Sequence, residues 1–200
     1  MARWDRITRI LDGKEIPGLF HHAFVHNGDT YFLADIKVYQ DGMVDCWGLV
    51  DIEGFKQKVK QGWVVTTVPE GARVTVSLVA NFNATNVVTW VKEEEFVKEV
   101  LDDIEHLNGR PTSAMRCYQA YENFEAEPTE AARQTLRETY ESVPEHLREF
   151  VLGDMDVKDV PIRMIIYGKQ EIEQWSHRVV AREMGIEPLP NIDVPDVPTE

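Results

Sequence analysis

Four side chains between positions 22 and 46 are of the types that carry out chemistry, namely His22, Asp35, Lys37 and Cys46. A lysine beside a cysteine favours the thiolate, so Cys46 is a candidate nucleophile. The imidazole of His22, if it lies nearby, would be the base that removes the proton of the thiol. This chemistry requires the four side chains to share one face of a sheet.

Two turn sequences predict how these residues are positioned. Asn27-Gly28 and Asp41-Gly42 are typical of two-residue type I′ hairpins, because both central positions need positive φ. We therefore expect three antiparallel strands from 20 to 50. Pairing outward from the turns places His22 opposite Leu33 and Lys37 opposite Cys46.

The same register divides the strands into two faces. One face is apolar and is predicted to be core, with Ala23, Val25, Phe32, Ala34, Ile36, Val38, Trp47 and Leu49. The other face mixes the four candidate residues with Phe24, Tyr31, Leu33 and Tyr39. The mixed face is either an active site or a surface covered by a helix. In the second case Asp35 and Lys37 form an ion pair and Cys46 is a small buried hydrophobic residue.

Asp35-Ile36-Lys37 also matches the D-x-K element of PD-(D/E)xK nucleases, in which a carboxylate holds a metal and the lysine polarises water. This tripeptide arises by chance in many chains, and no acidic residue upstream has a Pro-Asp context. A formal charge of −14 also opposes contact with a polyanion. We therefore expect no direct binding of nucleic acid.

Three histidines near the first turn have the wrong spacing for a metal site. Period-two alternation points His21 away from His22 and His26. The latter two are four residues apart on one strand, about 13 Å, which is too far to share an ion. The sequence predicts neither a metal site nor a cofactor.

An acidic loop follows Gly153 and contains Asp154, Asp156 and Asp159. It lacks the glycine at position six and the glutamate at position twelve that a calcium loop requires. Asp159 either caps a short helix that contains Pro161 or precedes a strand at 162–167. The remaining charge makes the three aspartates candidate partner-binding residues.

The 200-residue chain has 35 acidic and 21 basic residues and a pI near 4.8. Such a surface favours solubility or contact with a basic protein partner. Its two cysteines lie in dissimilar contexts, and it has neither a signal-like start nor an apolar run of membrane-spanning length. These features predict a cytoplasmic protein that makes no contact with membranes.

Strand patterns followed by helical patterns predict an α+β fold. We expect an antiparallel sheet of five or six strands with helices in residues 1–109. A mainly helical region, 110–185, packs on it or forms a small subdomain, and 186–200 is an extended proline-rich tail. Strands at 63–68 and 72–80 are expected to form a hairpin, followed by a polar loop at 81–86 and a strand at 87–91. Asp51 is predicted to cap a helix that ends at Gly62, and a second helix, with Glu93 to Glu95 near its N-terminus, is expected after residue 91.

Three stretches resemble a family of bacterial hypothetical proteins with domains of unknown function: Tyr31–Val50 (YFLADIKVYQDGMVDCWGLV), Gly62–Val79 (GWVVTTVPEGARVTVSLV) and Val143–Gly168 (VPEHLREFVLGDMDVKDVPIRMIIYG). The resemblance implies a bacterial cytosolic protein and brings no activity, ligand or catalytic residue. In type, as a small, acidic, tryptophan-rich α+β protein, the chain is also similar to toxin-neutralising immunity proteins.

These observations give one leading expectation for function and two alternatives. The leading one is a protein-binding module, of the immunity or inhibitor kind, that neutralises a basic partner. The first alternative is an enzyme that acts on a small molecule through the face of His22, Asp35, Lys37 and Cys46. The second is an accessory subunit of a complex.

Overall fold

A computed structural model describes residues 7–153, 156–186 and 192–197. The chain divides into two compact units, Met1–Arg110 and Pro111–Glu200. The first unit contains the sheet and two helices, whereas the second is mainly helical. The predicted α+β class, with an N-terminal antiparallel sheet followed by helices, is confirmed.

Within the described residues, eight strands form one sheet in the first unit: β1 (Ile7–Leu11), β2 (Lys14–Asn27), β3 (Thr30–Tyr39), β4 (Val44–Asp45), β5 (Leu49–Val50), β6 (Val64–Val65), β7 (Arg73–Val76) and β8 (Ala80–Asn83). The first five are antiparallel neighbours in chain order. Strand β6 pairs with β2, β7 runs parallel to β3, and β8 pairs with β7.

The first hairpin turns one residue later than the type I′ prediction. Asn27 pairs with Thr30, so the turn residues are those at 28 and 29. Because this change moves the pairing by two positions, every side chain stays on its predicted face. His22 nevertheless lies opposite Asp35, where the prediction placed Leu33.

The second hairpin contradicts the predicted pairing of Lys37 with Cys46. Its loop has three residues and is closed by the N–H of Tyr39, which donates to the carbonyl of Met43 at 2.9 Å. Lys37 therefore pairs with Asp45. Since alternate residues of a strand face opposite ways, this one-residue shift moves Cys46 to the other side of the sheet.

The predicted burial of Trp47 and Leu49 is also wrong. Trp47 has a φ of 63° and is 49% exposed, and Leu49 is similarly exposed. The strand ends at Asp45, whose carboxylate accepts a hydrogen bond from the N–H of Gly48 at 3.1 Å. Alternation stops at this turn, so the face of the following residues cannot be extrapolated from β3.

Two helices pack on the sheet, α1 (Ile52–Lys60) and α2 (Glu93–Leu107). Asp51 caps α1 as predicted, because its carboxylate accepts a hydrogen bond from the N–H of Gly54 at 2.8 Å. Phe55 of α1 and Phe96 of α2 meet edge to face at 6.0 Å. They belong to a core that also includes Ala23, Val25, Ile36, Val38, Val44, Cys46, Val64 and Val100.

The pairing of the later strands differs from the sequence prediction. The expected hairpin between 63–68 and 72–80 does not form, because β6 pairs with β2. The hairpin is instead made by β7 and β8, and residues 81–83 of β8 fall in the predicted polar loop. The described residues 87–91 contain no strand.

The second unit contains α3 (Ser113–Ala126), α4 (Glu130–Ser142), α5 (Val160–Tyr167) and α6 (Ser176–Met184), with 3₁₀ helices at Glu145–Phe150 and Lys169–Gln174. Thr112 and Thr129 cap α3 and α4 through their hydroxyls. The sequence left 159–167 open between helix and strand, and the structure shows a helix with Pro161 in its first turn.

The proline-rich tail is not independent of the core. Val194 is buried in the apolar cluster of the second unit, where Ile192 and Val197 also pack. Lys169 anchors the same segment through its Nζ, which lies 2.8 Å from Oδ1 of Asp196. Residues 192–197 therefore contact the apolar cluster of the second unit.

Candidate functional site

His22 and Asp35 form an exposed pair on the outer face of β2 and β3. Nδ1 of His22 lies 3.0 Å from Oδ1 of Asp35, and the two side chains are 65% and 50% exposed. The ring of Phe20 meets the imidazole edge to face at 5.4 Å. Solvent screens an exposed pair of this kind, which is worth at most about 1 kcal/mol.

Cys46 lies on the opposite face of the sheet and is fully buried among apolar side chains. Burial raises the pKa of the Cys46 thiol, and the charge of Lys58 offsets only part of this effect. A nucleophilic cysteine needs the contrary shift together with access to substrate. The structure thus brings His22 and Asp35 together and separates Cys46 from both.

The acidic loop does not present three carboxylates to solvent. Asp154 lies outside the described residues, and Asp156 is exposed. Asp159 is buried and accepts a hydrogen bond from the hydroxyl of Tyr140 at 2.5 Å. Burial and this hydrogen bond raise the pKa of Tyr140. Asp159 therefore holds α4 to the start of α5 instead of capping α5 through its side chain.

A buried charged cluster in the first unit was not predicted from the sequence. Nδ1 of His21 lies 3.1 Å from Oε2 of Glu99, and its Nε2 contacts the carboxylate of Asp103. Glu99 and Asp103 are four residues apart, so they lie on one face of α2. Because each ring nitrogen of His21 contacts a carboxylate of α2, the cluster ties α2 to β2.

One signal in the sequence points to this cluster. The apolar stripe of α2 includes Phe96 and Val100, and Glu99 and Asp103 lie at positions that extend the same face. Because acidic residues seldom face a core without a partner, this pattern predicts a basic residue on the sheet. His21 is closed off from solvent, so the cluster is structural. Among the described residues, no group of ligands is arranged to hold a metal ion.

The segment 87–91, which precedes α2, is apolar and exposed. Trp90 is 86% exposed, and Val88 is exposed to a similar extent. The segment is held by the hydroxyl of Thr89, which donates to the hydroxyl of Thr67 at 2.6 Å. Large apolar side chains exposed together on a soluble domain typically mark an interaction surface.

Helix α2 concentrates the negative charge of the first unit. It has seven acidic residues and one lysine, a net charge of −6. Residues 1–109 together have 17 acidic and 11 basic residues, which is also a net of −6. Three of the acidic residues, Glu93 to Glu95, form the first turn, which Lys92 separates from the apolar segment. Exposed apolar surface and negative charge are therefore adjacent along the chain.

Comparison with known families follows the same division of the chain. Residues 6–111, more than half of the chain, match a domain of unknown function, DUF7638. The chain belongs to the DUF7638 family. Residues 112–190 match a second domain of unknown function, DUF7639. The expected membership of an uncharacterised family is confirmed. No curated protein and no solved structure matches the chain.

The DUF7638 segment contains the His22–Asp35 pair, the His21 cluster, the apolar segment and acidic α2. The DUF7639 segment contains the buried Tyr140–Asp159 contact. Across the described ranges of both segments, no helix is both long and apolar enough to cross a membrane.

Proposed function

We propose that this protein is an acidic protein-binding module, of the immunity or inhibitor kind, which neutralises a partner with a basic surface. The observation that carries the proposal is the exposure of Trp90 next to the acidic first turn of α2. Tryptophan is among the residues most enriched at the energetic centres of protein interfaces.

The surface around Trp90 has the composition of an interface centre with a charged rim. Trp90 and Val88 supply apolar area that a partner would bury, whereas Glu93 and Glu94 supply negative charge. Trp90 and Glu94 are four residues apart, so at most about 14 Å separates their Cα atoms. Both therefore fit within one interface of ordinary size, which involves about 20 to 30 residues on each side.

The two parts of this surface would contribute to binding differently. Burial of the indole would slow dissociation, because water must return to the apolar contact when the complex separates. The carboxylates would speed association with a positively charged partner. We place this interaction in the bacterial cytoplasm, where the two free, buried cysteines would stay reduced.

The alternatives have less support in the geometry. An enzyme that uses His22, Asp35, Lys37 and Cys46 together would need them on one face, but Cys46 is buried on the other. The exposed apolar segment also suits an accessory subunit of a complex. A captured partner with a basic surface would favour neutralisation, whereas a partner without one would favour the role of an accessory subunit.

The experiment measures binding kinetics with the partner that the wild-type protein captures from its host. Trp90→Ser should raise the dissociation rate about 30-fold, the equivalent of about 2 kcal/mol for a central aromatic residue. Trp47→Ser is the matched control, since Trp47 is also an exposed tryptophan but lies in the turn between β4 and β5. It should change the rate less than threefold.

A second arm tests the charge. The double variant Glu93→Gln/Glu94→Gln should slow association and weaken its dependence on salt between about 10 and 150 mM, as the Debye length falls from about 30 to 8 Å. Equal effects of Trp90→Ser and Trp47→Ser would overturn the assigned interface. If the association rate of the wild-type protein does not depend on salt, the proposal that the partner has a basic surface is overturned.

A further inference from the structure

The β7–β8 hairpin is a second exposed surface of the DUF7638 unit. Leu78 and Val79 form its tip, and both are among the most exposed apolar residues of the chain. All four residues of β8 are exposed, including Phe82. The hairpin packs on its inner side through Val74, which is buried with Val68 and Ala84.

This surface is almost free of charge. Arg73 is the only charged residue from position 73 to position 91, although 28% of the whole chain is charged. A basic partner gains little from such a strand, because no carboxylate of the hairpin faces it. A second copy of the chain, with the same charge of −14, meets the least repulsion here.

Among the residues that the structure describes, no strand pairs with the outer edge of β8. In the described part of the chain, β8 has β7 as its one strand neighbour. The N–H of Ala84 donates to the carbonyl of Ala72. If the same alternation is followed along the register, Phe82 and Ala80 direct their backbone groups towards β7. In an antiparallel pair alternate residues point outward, so Asn81 and Asn83 direct their backbone groups to the open edge.

Natural edge strands are usually protected from pairing by lysine, proline, inward charge or a bulge. The sequence of β8, Ala-Asn-Phe-Asn, has no charged residue and no proline. An unprotected neutral edge next to exposed apolar side chains is a template for strand addition.

We propose that β8 pairs antiparallel with β8 of a second copy of this chain, forming a two-fold symmetric dimer. The same strand serves both copies, so the contact is self-complementary and closes at two chains. The two copies of Phe82 would then lie side by side, and Leu78 and Val79 of each copy would lie beside the far end of the other copy's β8. This surface is distinct from the Trp90 segment, so the dimer and the proposed binding of a basic partner can succeed or fail independently.

The experiment is sedimentation of the full chain over a concentration series. The wild-type protein should shift from monomer to dimer as concentration rises. In an antiparallel pair the two copies of Asn81 lie within about 8 Å of each other, directly opposite or diagonal. Asn81→Lys and Asn81→Asp should therefore each be monomeric through like-charge repulsion, and an equimolar mixture of the two should dimerise again.

Controls separate this contact from general charge effects. Val180→Lys adds the same charge at an exposed position of α6 and should dimerise like the wild type. Trp90→Ser should do so as well. If an Asn81 variant unfolds, Asn83→Lys and Asn83→Asp test the same edge. A wild type that stays monomeric throughout, or a mixture of opposite charges that stays monomeric, would overturn the proposal.

Discussion

Nδ1 of His21 on β2 lies 3.1 Å from Oε2 of Glu99 on α2, and the second ring nitrogen contacts Asp103. This buried contact fixes the helix that bears Glu93 and Glu94 against the sheet. Gln40 adds a second tie where α2 ends, because its side-chain amide donates to the carbonyl of Leu107 at 2.8 Å. The position of the proposed binding surface therefore depends on polar contacts as well as on the apolar core.

The first prediction concerns this cluster. His21→Ala should lower the free energy of unfolding by about 3–5 kcal/mol, because it removes the contact that each of two largely buried carboxylates makes with the imidazole ring. His22→Ala is the matched control, since the neighbouring imidazole is exposed, and it should cost at most about 1 kcal/mol. Urea denaturation of the two variants measures both effects, and equal losses would contradict the structural role of His21.

The second prediction concerns Trp47, which the strand pattern placed in the core. Its ring contacts Phe32 at 5.0 Å but is half exposed. Trp47→Ala should therefore cost no more than about 1.5 kcal/mol, the value of an aromatic pair, whereas a fully buried tryptophan costs about 3–5 kcal/mol. Thermal denaturation distinguishes these values. Aggregation of the variant would show that the indole is needed for folding.

The third prediction concerns the proline-rich tail. Val194→Ala should destabilise the protein by about 2 kcal/mol, because two buried carbon atoms are lost and a cavity remains. Asp193→Ala at the adjacent exposed position should have little effect. Calorimetry of both variants tests this difference. An unchanged melting temperature after removal of residues 186–200 would show that the docked segment does not stabilise the unit.

The fourth prediction concerns pH. Burial raises the pKa of the Cys117 thiol from 9.0 to about 11. Between these values the unfolded thiol has lost its proton while the folded one keeps it. The folded state then binds more protons, so stability falls as pH rises from about 9 to 11. Cys117→Ala should remove this contribution and flatten the decline, as measured by denaturation midpoints across that range. Parallel curves for the two proteins would refute it.

Several features followed from the sequence by itself because their causes are local. The cap at Asp51 depends on one hydrogen bond to a residue three positions later. The helix from Glu93 follows from apolar spacing and an acidic first turn that suits the helix dipole. Alternation along β2 correctly turned His21 away from His22. Such signals depend on a few neighbouring residues, so they do not change with the packing of the rest of the chain.

Tertiary structure alone decided which residues meet. A three-residue loop where a two-residue loop was predicted moved Cys46 away from Lys37. The exposure of Trp90 depends on whether another element covers segment 87–91, and the apolar pattern of that segment is the same in either case. Glu99 became a partner of His21 because α2 packs across β2, 78 positions away in the chain. Register and packing between distant segments are settled by the free energy of the whole fold, to which a local pattern contributes only a small part.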